Sequence, residues 1–160
     1  MSDTPSFDPR IHHRRSIRLP GYDYSQPGEY FITIVTHDRK QLFGKIVGNE
    51  MLFTPFGEIV HDEWTKTSLL RQNIELGAYC VMPNHFHAIV TINECPVWAY
   101  CNTPLPRNSK LRSPSQTIGA IIRGFKGATT KRINELTATF GFPVWQRNYF
   151  EHIIASDDEY

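Results

Sequence analysis

Two strand-like runs, residues 74–82 and 85–92, are separated by nothing more than Pro83-Asn84, and this tight connection constrains the fold more than any other stretch. The second run lies within Met82-Pro83-Asn84-His85-Phe86-His87-Ala88-Ile89-Val90. Side chains alternate faces along a strand, so His85 and His87 point one way while Phe86 points into the core. Two neutral imidazoles on one rigid face form half of a divalent-metal site. A His-x-His pair can equally sit unliganded on a surface, so the residues alone leave both readings open.

Other elements follow from local pattern. Tyr30-Phe31-Ile32-Thr33-Ile34-Val35-Thr36 is β-branched and aromatic, a well-buried strand. Residues 42–47 and 51–53 flank Gly48-Asn49, a turn dipeptide, and predict a small hairpin. Thr54-Pro55 reads as an N-cap with proline at the first helical position, opening a helix to about Leu70 with Phe56, Ile59, Val60 and Trp64 at helical spacing. Ser113-Pro114-Ser115-Gln116 has the pattern of a capping box for a second helix, whose apolar stripe is Ile118, Ile121, Ile122, Phe125, Ile133 and Leu136. Residues 144–150 read as a further strand.

With the hairpin set aside, the order is strand, helix, strand, strand, helix, strand. This predicts an α+β fold of the ferredoxin-like, split βαβ kind: an antiparallel sheet with two main helices on one face. The histidine strand should be central. Residues 1–26, polar and rich in Arg, Pro and Asp, read as an N-terminal arm; residues 27–155 read as the domain. Residues 93–112 carry Pro96, Pro104 and Pro106 and read as a flexible crossing, and residues 156–160 as the start of a C-terminal helix cut short at Tyr160.

A chain of 160 residues with 40% hydrophobic and 21% charged residues can bury a real core as one domain. A net charge of +1 gives no global basic field, so nucleic-acid contact must come from local clusters. His12-His13-Arg14-Arg15-Ser16-Ile17-Arg18 is one such cluster, either a solvated arm or a DNA contact. Cys80, Cys95 and Cys101 are odd in number and lack CxxC spacing. With no membrane-spanning apolar stretch and no signal-like N-terminus, they read as reduced thiols of a cytoplasmic protein. His61 reads as a solvated helix position; His37 and His152 read as strand-end or surface residues.

Several segments carry a resemblance. They are Arg14-Arg15-Ser16-Ile17-Arg18-Leu19, Gly21-Tyr22-Asp23-Tyr24, Tyr30-Phe31-Ile32-Thr33-Ile34, Leu42-Phe43-Gly44, Val81-Met82-Pro83-Asn84-His85-Phe86-His87, Arg123-Gly124-Phe125-Lys126, and the stretch from Val144 to Ile154. In that order they resemble the REP-associated tyrosine transposases, a branch of the HUH single-tyrosine transposases of small bacterial insertion sequences. The resemblance implies a metal-dependent nuclease and strand-transferase of DNA transposition, acting on single-stranded or hairpin DNA. His85 and His87 would then be metal ligands for Mg²⁺ or Mn²⁺. A tyrosine on a C-terminal helix would attack the phosphodiester to give a 5′-phosphotyrosine.

The family's tyrosine follows the Glu-His-Ile-Ile segment by an interval that places it beyond Tyr160, so the chain as given is expected to lack the nucleophile. The alternative is a non-catalytic DNA hairpin-binding remnant. A two-histidine RNA phosphodiesterase would need His-x-Thr or His-x-Ser twice, and neither occurs. With the resemblance, Arg123, Lys126, Lys131, Arg132 and Arg147 become candidate phosphate contacts rather than merely solvated cations. Tyr22, Tyr24 and Tyr149 become candidates for stacking on unpaired bases. The resemblance is compatible with a monomer or a homodimer.

Overall fold

A computed structural model of the chain describes residues 22, 24, 26–71, 73–94 and 117–154. The elements run β1 (Gly28–Val35), β2 (Gly44–Val47), β3 (Glu50–Phe53), α1 (Pro55–Leu69), β4 (Ile74–Met82), β5 (His85–Ile92), α2 (Ile118–Leu136) and β6 (Phe150–Ile154). β2 and β3 form a separate hairpin whose turn begins at Gly48, with φ of 62°, a left-handed value that glycine adopts without a Cβ clash. The remaining strands make one sheet in the order β4-β5-β1-β6, every neighbouring pair antiparallel. The fold is α+β, and this order with its two helical crossovers is the ferredoxin-like arrangement expected from the sequence.

β4 and β5 span the residues that their sequence patterns mark, with Met82 opposite His85 across the Pro83-Asn84 turn. The Thr54 side chain accepts a hydrogen bond from the Gly57 amide at 3.3 Å, so α1 starts where the Thr-Pro pair places it. α2 begins later than the Ser113 pattern suggests among the described residues. Its N-cap is Thr117, whose side chain accepts from the Ala120 amide, and the Ser113-to-Gln116 pattern lies outside the described residues.

The final strand needs correction. Residues 144–149 are not a strand; only Trp145 bridges to Thr36, and β6 starts at Phe150. The backbone carbonyls of Gln146, Arg147 and Asn148 accept from the Lys126 ammonium instead of entering a ladder. The arm is also not wholly separate from the domain. Tyr24 is buried and packs edge-on to Tyr22, whose hydroxyl lies 3.3 Å from that of Tyr30. Burial removes Tyr24 from the set of exposed stacking rings. Most of the arm, all of the 93–112 crossing beyond Glu94, and residues 155–160 lie outside the described residues.

The core sits between the sheet and the two helices. Along β5, Phe86, Ala88, Val90 and Ile92 are buried, while His85, His87, Ile89 and Thr91 are partly exposed. Trp64 of α1 and Phe125 of α2 both meet Phe86, with ring centroids at 4.8 and 5.2 Å. Trp145 closes the cluster against Phe43 at 4.9 Å, and its indole N–H donates to Thr129 Oγ1 at 2.7 Å. Each such buried aromatic removes enough apolar surface from water to contribute about 1.5–3 kcal/mol. Both helices therefore lie on the Phe86 side, and the histidines face away from them.

Candidate functional site

The site begins with parity along β5. Because Phe86 is committed to the core, its neighbours are turned to the other face, and there the two imidazoles stand with centroids 4.6 Å apart at 75°. β5 and β1 are the two central strands, so the support is stiff. Each ring is fixed through Nδ1. That of His85 lies 2.7 Å from Asn84 Oδ1, and that of His87 lies 2.8 Å from Thr33 Oγ1. When Nδ1–H donates in both contacts, Nε2 of each ring keeps its lone pair, the form in which histidine binds metal. Burial, and then the proximity of His87, lower the His85 pKa, favouring the neutral ligand form.

The residues around the pair come from the register. β4 sets Cys80 opposite His87 and Met82 opposite His85, with Cys80 Sγ 3.5 Å from Met82 Sδ. β1 sets Thr33 opposite His87 and Val35 opposite His85. The two histidines fit a divalent cation as two ligands on one side. Among the described residues, no group of three or more His, Cys, Asp or Glu side chains is placed to hold a metal ion. His61 instead pairs with Tyr79, Nδ1 to hydroxyl at 3.0 Å, at the edge of β4 away from the pair.

The five candidate basic residues do not form one cluster. Lys126, Lys131 and Arg147 line a groove between α2 and the 143–147 segment, together with Gly127, Thr130 and Trp145. Among the described residues no carboxylate lines it. Arg132 is turned toward α1, where it meets Glu63 at 2.7 Å and Asp62 at 3.3 Å. Arg123 is exposed on α2 and is not among the groove residues. Within the groove the cations differ: Lys131 is three-quarters exposed and 3.8 Å from Glu135, whereas the Lys126 ammonium is directed at three backbone carbonyls. Burial lowers the Lys126 pKa to about 8.

Groove and histidines lie on different sides of the sheet but approach each other at the end of β1. The Gln146 amide donates to the Val35 carbonyl at 2.9 Å, and Val35 is the register partner of His85. The groove wall thus reaches within one strand of the metal-ligand candidates. Sequence reasoning missed three further residues of the open face: Phe31, Phe150 and His152. β1 and β6 pair Phe31 with His152 and Thr33 with Phe150, a juxtaposition of segments far apart in the chain that no local pattern signals.

This architecture can be compared with known proteins. A REP-associated tyrosine transposase, solved bound to a REP hairpin, superposes with a TM-score of 0.55 over 87% of this chain, at 19% identity. The protein described here has that transposase's fold and spans 63% of its length. A Deinococcus radiodurans protein provisionally assigned as a transposase matches at a TM-score of 0.47 and 20% identity, over 86% of this chain and 85% of that one, too distant to carry an argument. No family model matches the sequence. An uncharacterized Haemophilus influenzae protein is 39% identical over 160 residues, covering 98% of this chain and 87% of that protein, and the chain belongs to one family with it.

Proposed function

We propose that this chain is a DNA-binding protein of the REP-associated tyrosine transposase group that engages hairpin or single-stranded DNA, with His85 and His87 as two ligands of a divalent cation such as Mg²⁺ or Mn²⁺. The observation that carries the reading is the pair of imidazoles, each anchored at Nδ1, on the face turned away from α1 and α2 in a fold shared with a hairpin-bound transposase. A divalent cation held there would supply Lewis-acid polarisation of a phosphodiester. The chain's own contribution is placement. Asn84 and Thr33 fix the ring orientations, and the central strand fixes their spacing.

Lys131 and Arg147 supply the electrostatic part. A cationic groove with no carboxylate among its described lining suits a phosphate backbone, and its reach to the end of β1 would bring a bound strand toward the histidines. Lys126 serves this groove indirectly, by holding the 146–148 backbone that forms its wall. In this reading the protein serves DNA transposition by binding single-stranded or hairpin DNA in the cytoplasm. Among the described residues, no helix is long and apolar enough to cross a membrane.

The test is a labelled DNA hairpin with a single-stranded flank, titrated with the protein between 50 and 200 mM salt and then incubated with Mn²⁺. Affinity falling steeply with salt supports the phosphate groove, and a Lys131→Ala, Arg147→Ala variant should bind more weakly with a flatter salt dependence. Strand cleavage that disappears in His85→Ala supports the nuclease, while tight binding without cleavage supports a non-catalytic hairpin binder. Salt-independent or absent binding would overturn both.

A further inference from the structure

The open face carries aromatic rings that the histidine pair does not account for. Phe31 on β1 lies nearly parallel to the His87 imidazole, centroids 5.3 Å apart and planes at 21°. Its register partner on β6 is His152, which is exposed. Two residues earlier on the same strand stands Phe150, 50% exposed, opposite the Thr33 whose hydroxyl meets His87. A single exposed phenylalanine on a surface is ordinary. Three rings at neighbouring positions of β1 and β6, beside two imidazoles on β5, gather aromatic side chains on the side of the sheet turned away from α1 and α2.

We infer that Phe31, Phe150 and His152 form a stacking subsite for an unpaired nucleobase next to the phosphate that the histidine pair faces. This rests on the DNA-binding reading above and deepens it. Two observations select this occupant. The subsite adjoins one end of the basic groove: the Gln146 amide of the groove wall donates to Val35, two residues along β1 from the Thr33 that faces Phe150, so a strand passing from the groove round the end of the sheet arrives at these rings. The rings also offer planar apolar surface next to the polar pair. A nucleotide needs that combination, because its base stacks on any π face while its phosphate seeks charge. Stacking of this kind tolerates any base, so the subsite would position a strand without selecting its sequence.

The experiment uses the same hairpin with each flanking nucleotide replaced in turn by an abasic site, scored by fluorescence anisotropy. The parent protein should lose roughly tenfold in affinity at one position of the series, the scale of one base stack. A Phe31→Leu, Phe150→Leu variant should bind the unmodified hairpin about tenfold more weakly, show no further loss at that position, and keep the parent's salt dependence because no charge has changed. His152→Ala, an exposed substitution that leaves the core untouched, should blunt the same position and guards against a misfolded double variant. A flat abasic series in the parent overturns the subsite while leaving DNA binding intact. Equal losses in parent and variants overturn it too, and failure to bind any hairpin sinks both readings together.

Discussion

The two faces of the four-stranded sheet are built from alternate residues of the same strands, yet they hold opposite kinds of chemistry. On one face Tyr30, Ile32, Ile34, Phe86, Ala88 and Val90 are sealed beneath α1 and α2. On the other, His85, His87, Thr33 and Phe31 stay partly exposed. The pleat alone separates them, and it sets the residues that build the core one position away from the candidate site residues. A substitution can therefore strike one without the other.

The sharpest way to break that comparison is Phe86→Ala against His87→Ala. The first empties a fully buried site between Trp64 and Phe125 and should cost about 3–5 kcal/mol in urea unfolding. The second should stay within about 1 kcal/mol, since its ring is only partly covered. Similar losses for the two would mean that the histidine face is also structural.

Next in size comes the joint between the helices. Burial pushes the Glu63 carboxyl up, but hydrogen bonds from Lys66 and Arg132 and their charges outweigh it and leave the pKa below its usual value. The stability from this pairing is present above the unfolded carboxylate pKa of about 4.3 and is lost as pH falls through the lower folded value. Arg132→Ala should cost about 1 kcal/mol near neutral pH and remove part of the acid sensitivity, read from melting temperatures between pH 3 and 7. Hairpin affinity that falls without any change in acid sensitivity would instead assign Arg132 to the DNA.

Gly127 sharpens the contrast from the helix side. A Cβ there would meet nothing within 4 Å, so packing gives no reason for a glycine in the middle of α2. Gly127→Ala should stabilise the fold by about 1 kcal/mol and, because Gly127 lines the groove, weaken hairpin binding. Unchanged binding would remove the groove from the DNA path. The smallest effect on folding belongs to Lys131→Ala and Arg147→Ala. Each should leave stability within about 0.5 kcal/mol while lowering the slope of log affinity against log salt by about 1.

What could be read in the sequence divides along physical lines. Local pattern sufficed for β4 and β5, for the Thr54-Pro55 helix start and for the parity of His85, Phe86 and His87, because alternation and capping depend on near neighbours. The resemblance drawn from the motifs agrees with the fold seen in the hairpin-bound transposase. Pairing over long separations was out of reach. Nothing near Phe150 indicates that it lies opposite Thr33, and nothing near Lys126 shows that its ammonium meets carbonyls twenty residues on. Helical spacing placed Arg132 at the solvent edge of α2 without revealing that α1 lies alongside with Glu63 and Asp62.

The central claim is that the open face binds a divalent cation through two imidazoles, and calorimetric titration of Mn²⁺ into the chain and into a His85→Ala, His87→Ala variant tests it directly. The account predicts a saturable binding event in the parent that vanishes in the variant, with both proteins equally folded. Identical isotherms for the two would contradict it.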